Sequence, residues 1–249
     1  MLKSAAAAGV VREWLSASPP LPGWIANLDF FYAANQGEEW IDRTGNGNHG
    51  TVSTVGSGGS SSVMHVAGPG AYWQFNSPSS ALEQTYVDSG FAPGSIPDTY
   101  SSHMIAVVNY QALQAMILKA SDSVSNQVYL KAQADNKFFM EYSGTPDFGD
   151  ATQTVVTSNT YGADTWWLVV TGHGLGAKVI RVNNIIDGQG LSEVNLNISD
   201  TFTVGNDEVS NTYPNNFKIA AVGFGSNYAY STDDLDALYN YYNSEVGLG

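Results

Sequence analysis

The sequence predicts an all-β chain: two antiparallel sheets packed as a sandwich, with a short C-terminal helix and an N-terminal arm. Three observations carry that prediction. Strand-length runs, about a dozen of them, alternate with segments rich in Gly, Asn, Asp and Ser, which supply the backbone conformations that turns need. Hydrophobic residues make up 43% of the 249 residues and aromatics 12%, but charged residues only 13%, so Ser, Thr, Asn and Gly must supply most of the polar surface. That balance suits short strands with polar turns better than helical bundles. Helical periodicity is well specified once, at the C-terminal end.

Taken in order, residues 1–24 stand apart. The Ala-rich start favours a short helix through Trp14 and Leu15, and Ser16–Pro22 then stops it and favours extended backbone. This predicts an arm with a semi-rigid linker, or else a disordered tail, ahead of one domain over residues 25–249. Val10, Val11, Trp14 and Leu15 give the arm an apolar face that a neighbouring subunit would cover. The strand-like runs are Ile25–Tyr32, His49–Val55, Ala71–Phe75, His103–Tyr110, Met116–Lys119, Val128–Ala132, Phe138–Tyr142 and Thr152–Thr157. Trp166–Thr171, Lys178–Val182, Thr201–Val204 and Lys218–Phe224 follow. Thr44–Gly50, Gly56–Ser62, Gly144–Gly149 and Asn183–Gly190 read as turns, and Gly172–Gly174 as a hairpin turn.

Lys178–Val182 and Gln127–Lys131 alternate, so each should have one buried and one wet face. Ile105–Val108 and Trp166–Val170 are continuously apolar, which fits central strands covered on both sides. Of Trp166 and Trp167, alternation sends only one inward. The helix begins at a capping box, Ser231 with Asp234 three residues on, and Asp233, Asp234 and Asp236 sit where the helix dipole favours anions. Leu235, Leu238, Tyr239 and Tyr242 form one apolar face, and Gly247 is the stop.

Charge and residue types narrow the chemistry. Nine Lys and Arg against 23 Asp and Glu give a formal charge of −14, a field that repels phosphate backbones and argues against a nucleic-acid partner. The same field is compatible with divalent cations, with a basic partner chain or simply with solubility. Without cysteine there is no disulfide, thiolate metal site or Cys nucleophile. The Met1–Trp14 segment has too weak an apolar stretch for a secretory signal, and no stretch is long and apolar enough to insert in a membrane. His49, His65, His103 and His173 lack metal-hydrolase spacing, and Thr44–Gly50 lacks the Lys-Ser/Thr of a phosphate loop.

Three segments, in order, resemble the laminin-G-like, concanavalin A-like lectin/glucanase superfamily. They are Trp40-Ile-Asp-Arg-Thr-Gly-Asn-Gly-Asn-His-Gly50; Thr165–Thr171 with Lys178–Gly188; and Ile219–Gly225 with the Ser231–Tyr242 helix. The resemblance covers roughly residues 25–246 and implies a jelly-roll sandwich. The related glycanases carry close-set acids of the E-x-D-x-x-E kind, because nucleophile and acid/base must flank one bond. Glu141 has no acidic neighbour two or four residues on, so the resemblance implies a non-catalytic member.

Within it, Asp42 and Asn46, with Asp29 as an additional ligand, are the residues that could hold Ca2+. The alternative is that Asp42 and the Asn side chains cap turn amides. Trp73, Tyr213, Tyr228 and Tyr230 lie next to turns and could stack on a sugar, or could serve the core. Such domains are displayed outside cells, whereas Met1 opens without a signal; virion proteins meet both conditions. The expectation is a virus or phage structural protein, such as a capsid decoration, fibre or tail-adhesin subunit. It would be anchored to other subunits through residues 1–24, in an oligomer or larger assembly, and located in the virion or outside cells after lysis. The alternatives are a free calcium-dependent lectin-like module that binds a cell-surface glycan and, third, a glycoside hydrolase.

Overall fold

The computed structural model describes residues 20–57, 61–77, 83–97, 101–111, 114–123, 126–146, 152–174, 176–191, 194–206 and 215–249. The predicted arm helix, most of the linker and Tyr213 lie outside the described residues. The first strands are β1 (Phe30–Ala33), β2 (Thr51–Gly56), β3 (Ser62–Val66), β4 (Tyr72–Asn76), β5 (Glu83–Asp88) and β6 (Gly94–Ile96). Next come β7 (His103–Tyr110), β8 (Ala115–Ser123), β9 (Asn126–Ala132), β10 (Phe138–Ser143), β11 (Thr145–Pro146) and β12 (Thr152–Val156). The last are β13 (Trp167–Gly174), β14 (Ala177–Val182), β15 (Ile185–Leu191), β16 (Val194–Ile198), β17 (Thr203–Val204) and β18 (Phe217–Gly225), followed by helix α1 (Thr232–Val246).

Two large antiparallel sheets form the predicted sandwich. One has the order β15-β14-β13-β7-β18-β4-β3, with β1 added beside β18; the other runs β12-β10-β9-β8-β17-β5-β2. Small strands β11, β16 and β6 form a separate three-stranded sheet. The central strands of the first sheet are buried on both faces, and their continuous apolar runs are the reason. Ala106, Val108 and Val169 point into the core between the sheets, whereas Ile105, Val107, Leu168 and Val170 point the other way. On that outer side they are covered by Trp24, Ile25 and the α1 side chains Leu235, Leu238, Tyr241 and Tyr242. Trp167 packs on the inner core and Trp166 on the outer layer, as strand alternation requires.

Helix α1 is held at both ends by its own sequence. The Ser231 hydroxyl accepts from the Asp234 amide, the Asp234 carboxylate accepts from the Ser231 amide, and Gly247 closes the helix in the left-handed region at φ 68°. Tyr241 replaces Tyr239 in the most buried set, because the apolar stripe faces a sheet and is wider than one line of contacts.

Four turn and strand expectations are corrected. Residues Gly23–Asn27 form a 3-10 turn rather than the start of a strand, since the Ile25 amide bonds back to the Pro22 carbonyl and Trp24 and Ile25 tuck beneath α1. Asn183–Gly190 is a turn only at Asn183 and Asn184, whose φ values are positive; β15 then pairs with β14. Ser62 is the first residue of β3, paired with Asn76. Gly172–Gly174 is not a hairpin turn: β13 continues through it, paired with β14, and buried His173 stacks on Tyr142 with ring centroids 4.2 Å apart.

Candidate functional site

Of the aromatic residues singled out in the sequence, Trp73 and Tyr230 line two separate recesses. The first is an open cleft of about 350 Å³ at the β2–β3 edge, lined by Glu38, Glu39, Trp40, His49, His65 and Trp73 among others. Its floor is the Trp40–Trp73 pair, stacked with ring centroids 3.8 Å apart. Trp73 is 1% exposed and its indole N–H donates to the Glu38 carbonyl at 2.8 Å, so it presents an edge instead of a face. Above that floor polar Glu38, Glu39, His49 and His65 stand beside apolar Ile41, Val52 and Val63. Glu38, Glu39 and His49 are exposed, and His49 Nδ1 accepts from the Asp42 amide, which leaves its Nε2–H outward. Gly50 seals the base: a Cβ there would lie 2.8 Å from the Trp40 Cβ and 2.7 Å from Val87.

Beside this cleft stands the turn carrying Asp29, Asp42 and Asn46. Asp42 is buried, and its Oδ1 accepts from the Phe31 and Thr44 amides at 3.1 and 3.0 Å while its Oδ2 accepts from the Asn48 amide at 3.2 Å. The Thr44 hydroxyl lies 2.8 Å from both oxygens. Asn46 turns its amide N–H toward the Leu28 and Asp29 carbonyls. Asp29 Oδ2 accepts from the Ser226 amide at 2.5 Å, and burial, reinforced by the neighbouring Asp42 charge, raises its pKa. The three predicted residues are thus close together, and the hydrogen bonds of Asp42 and Asn46 staple a turn. Among the described residues no group of three or more His, Cys, Asp or Glu is placed to hold a metal ion.

The second recess lies on the outer face of the first sheet, beneath the start of α1. It holds about 160 Å³ and is lined by His103, Gly172, Val179, Arg181, Tyr230 and Leu235, with Val170 and Thr171 in its floor. Strand register builds it. Val170 pairs with Ile105 on one side and Arg181 on the other, and Gly172 pairs with Val179. Because Gly172 has no side chain, a hollow opens in that second row; a Cβ there would meet Val179 at 3.0 Å and the His103 ring at 3.3 Å. Tyr230 roofs it, with its ring 4.1 Å from His103 and edge-on to Trp24 at 5.1 Å. Tyr228 stacks on Trp24 and donates to Asp234 Oδ2 at 2.8 Å, so it braces the roof from outside.

The polar atoms of this recess are unusual. His103 Nδ1 bonds the Thr171 carbonyl at 3.0 Å, which fixes the N–H there and leaves Nε2 a bare acceptor. That Nε2 is buried without a hydrogen bond, and so is the Tyr230 hydroxyl. Burial lowers the His103 pKa to about 4, against the Thr171 and Tyr228 backbone groups that favour the charged ring. Burial likewise raises the Tyr230 pKa, so at neutral pH both side chains are uncharged. Half-buried Arg181 has no carboxylate partner among the described residues.

Of the residues that line or brace the recesses, the sequence singled out Trp73, Tyr228 and Tyr230, and not His103, Arg181 or Gly172. Gly172 directly follows the strand-like run Trp166–Thr171 and reads as a turn, so the sequence carries no signal for the recess. Glu141 is buried and accepts from Gln127, the Tyr129 hydroxyl at 2.5 Å and Ser143.

Fold and recesses together define a two-sheet antiparallel β-sandwich with a helix packed on one outer face. No family model matches the chain, and no curated protein matches its sequence. Solved structures do. The binding domain of botulinum neurotoxin serotype G superposes with a TM-score of 0.59 at 13% identity, over 86% of this chain and 50% of that one. The serotype D ligand binding domain, solved in complex with N-acetylneuraminic acid, gives 0.59 at 13% over 87% and 51%. The binding domain of Paraclostridial Mosquitocidal Protein 1 gives 0.59 at 14% over 88% and 53%. The chain therefore spans about half the length of these domains, and identity this low shows a shared fold alone. No described helix is long and apolar enough to cross a membrane.

Proposed function

We propose that this chain is a non-catalytic binding domain that recognises a glycan through the Trp40–Trp73 cleft. The observation that carries the reading is the cleft's make-up: the edge of a buried indole pair, with Ile41, Val52 and Val63, beside Glu38, Glu39, His49 and His65, which sets apolar surface next to the hydroxyl-binding groups that sugars need. The fold it shares with toxin binding domains, one of them solved with N-acetylneuraminic acid, supports the same reading. A glycan array probed with the full chain tests it. Reproducible hits that weaken in a Glu39→Gln, His49→Ala variant are expected; a blank array, or hits indifferent to that variant, would remove the cleft from the account. Release of reducing sugar from a hit would instead make the chain a hydrolase.

Calcium is an arm of the same experiment. A cation between Asp29 and Asp42 would relieve their repulsion, but only by displacing amide donors from Asp42. A melting temperature that rises with calcium and falls with chelator assigns the site; no response removes it.

A second reading, a subunit of a virion surface structure, draws support from the β15 edge, where Ile185, Ile186 and Leu191 are 70%, 48% and 71% exposed. Apolar residues on an edge strand favour association with another subunit. Sedimentation of the full chain is expected to show an oligomer that Ile185→Lys dissociates, and a monomer at all concentrations would count against this role.

A further inference from the structure

We infer that the outer-face recess is a second, separate binding site, and that it takes a small hydroxycarboxylate, either a free hydroxy acid or the acid end of an acidic sugar. The inference does not depend on the glycan reading of the Trp40–Trp73 cleft. Four features of the recess point to such a ligand. Its volume, about 160 Å³, is close to the roughly 150 Å³ of engineered cavities that admit a benzene, so one small ring or short acid fits. Arg181 lines it without a carboxylate partner among the described residues, in a chain with 23 acids and only 9 Lys and Arg. A guanidinium so placed can grip an incoming carboxylate with two parallel N–H groups.

The remaining polar atoms are complementary and unsatisfied. Among the described residues the Tyr230 hydroxyl is a buried donor without a hydrogen bond, and buried His103 Nε2 makes none either, although the Tyr228 backbone is close enough to favour the charged ring. Buried polar atoms are rarely left unpaired, since each carries a desolvation cost. One ligand answers all three groups: carboxylate oxygens on Arg181 and Tyr230, and a neighbouring hydroxyl donating to His103 Nε2. Val170, Val179 and Leu235 then meet its C–H surface. Gly172 is what keeps the space open.

The test is calorimetric titration of the full chain with lactate, D-glucuronate, N-acetylneuraminate and, as the neutral control, N-acetylglucosamine. Saturable binding of at least one acid is expected, weakened at least about tenfold by Arg181→Gln and severalfold by Tyr230→Phe. Gly172→Ala, which fills the hollow, is expected to abolish it while the melting temperature shows the domain still folded. Binding by lactate alone identifies a free hydroxy acid; binding by the sugar acids alone identifies an acidic sugar. No saturable binding of any acid, binding unchanged in Arg181→Gln, or equal binding of N-acetylglucosamine overturns the inference.

Discussion

The two recesses use the same kind of side chain in opposite ways. In the cleft, Trp73 is locked between Trp40 and the Glu38 carbonyl, so the aromatic pair is structure first and the polar rim, all on loops and edge strands, meets the solvent. In the outer recess, the aromatics are the lid, and the Tyr230 hydroxyl and His103 Nε2 make no hydrogen bond among the described residues. One region spends its hydrogen bonds on holding its shape. The other withholds them. An aromatic beside a turn thus says little about function until its polar atoms are accounted for.

The sharpest break between the regions is in stability. Trp73→Ala should cost about 3–5 kcal/mol, because it empties a buried stack; urea unfolding reads this directly. Tyr230→Phe should do the reverse and raise stability by up to about 1 kcal/mol, since it deletes a buried hydroxyl with nothing to bond. Equal losses in the two variants would erase the distinction.

His103 supplies the next largest effect. Its pKa falls from 6.5 to about 4 in the folded chain, mainly through burial, so the unfolded chain takes up a proton in that window and the folded one does not. Its contribution is full above pH 6.5 and is lost as pH drops to 4, at most roughly 3 kcal/mol. Asp29, whose pKa is raised, works in the opposite direction, so the measurement is the difference between wild type and His103→Gln across that range. Parallel curves would mean that the ring is solvated. The smallest effect lies at the roof's support: Ser231→Ala removes one half of the capping box and should cost about 1 kcal/mol, with weaker acid binding because Tyr230 sits just ahead of the cap.

How much of this was legible in the sequence depended on how local its cause was. The bounds of β7, the two covered faces of Ile105–Val108 and Trp166–Val170, and the Ser231 cap follow from neighbours within a few residues. Strand β15, Ile-Ile-Asp-Gly-Gln-Gly-Leu, read as a turn because its two glycines carry no strand preference; pairing with β14 supplies the order instead. Strand β3 was hidden in the same way by the Ser-rich run ahead of it. The outer recess was not legible at all. His103, Gly172 and Arg181 belong to three strands whose register alone brings them together, and Gly172 looked like a turn until β13 was seen to run through it. Asp29, Asp42 and Asn46 do gather at one turn, but the sequence could not say that amides already occupy Asp42.

Central to both proposals is that the domain carries two independent binding sites. A crossed titration tests it most directly: a hit from the glycan array and a hydroxycarboxylate, each against wild type, Glu39→Gln/His49→Ala and Arg181→Gln. The account predicts that the cleft variant loses the glycan and keeps the acid, and that Arg181→Gln does the reverse. Loss of both ligands in either folded variant, or of neither, would contradict it.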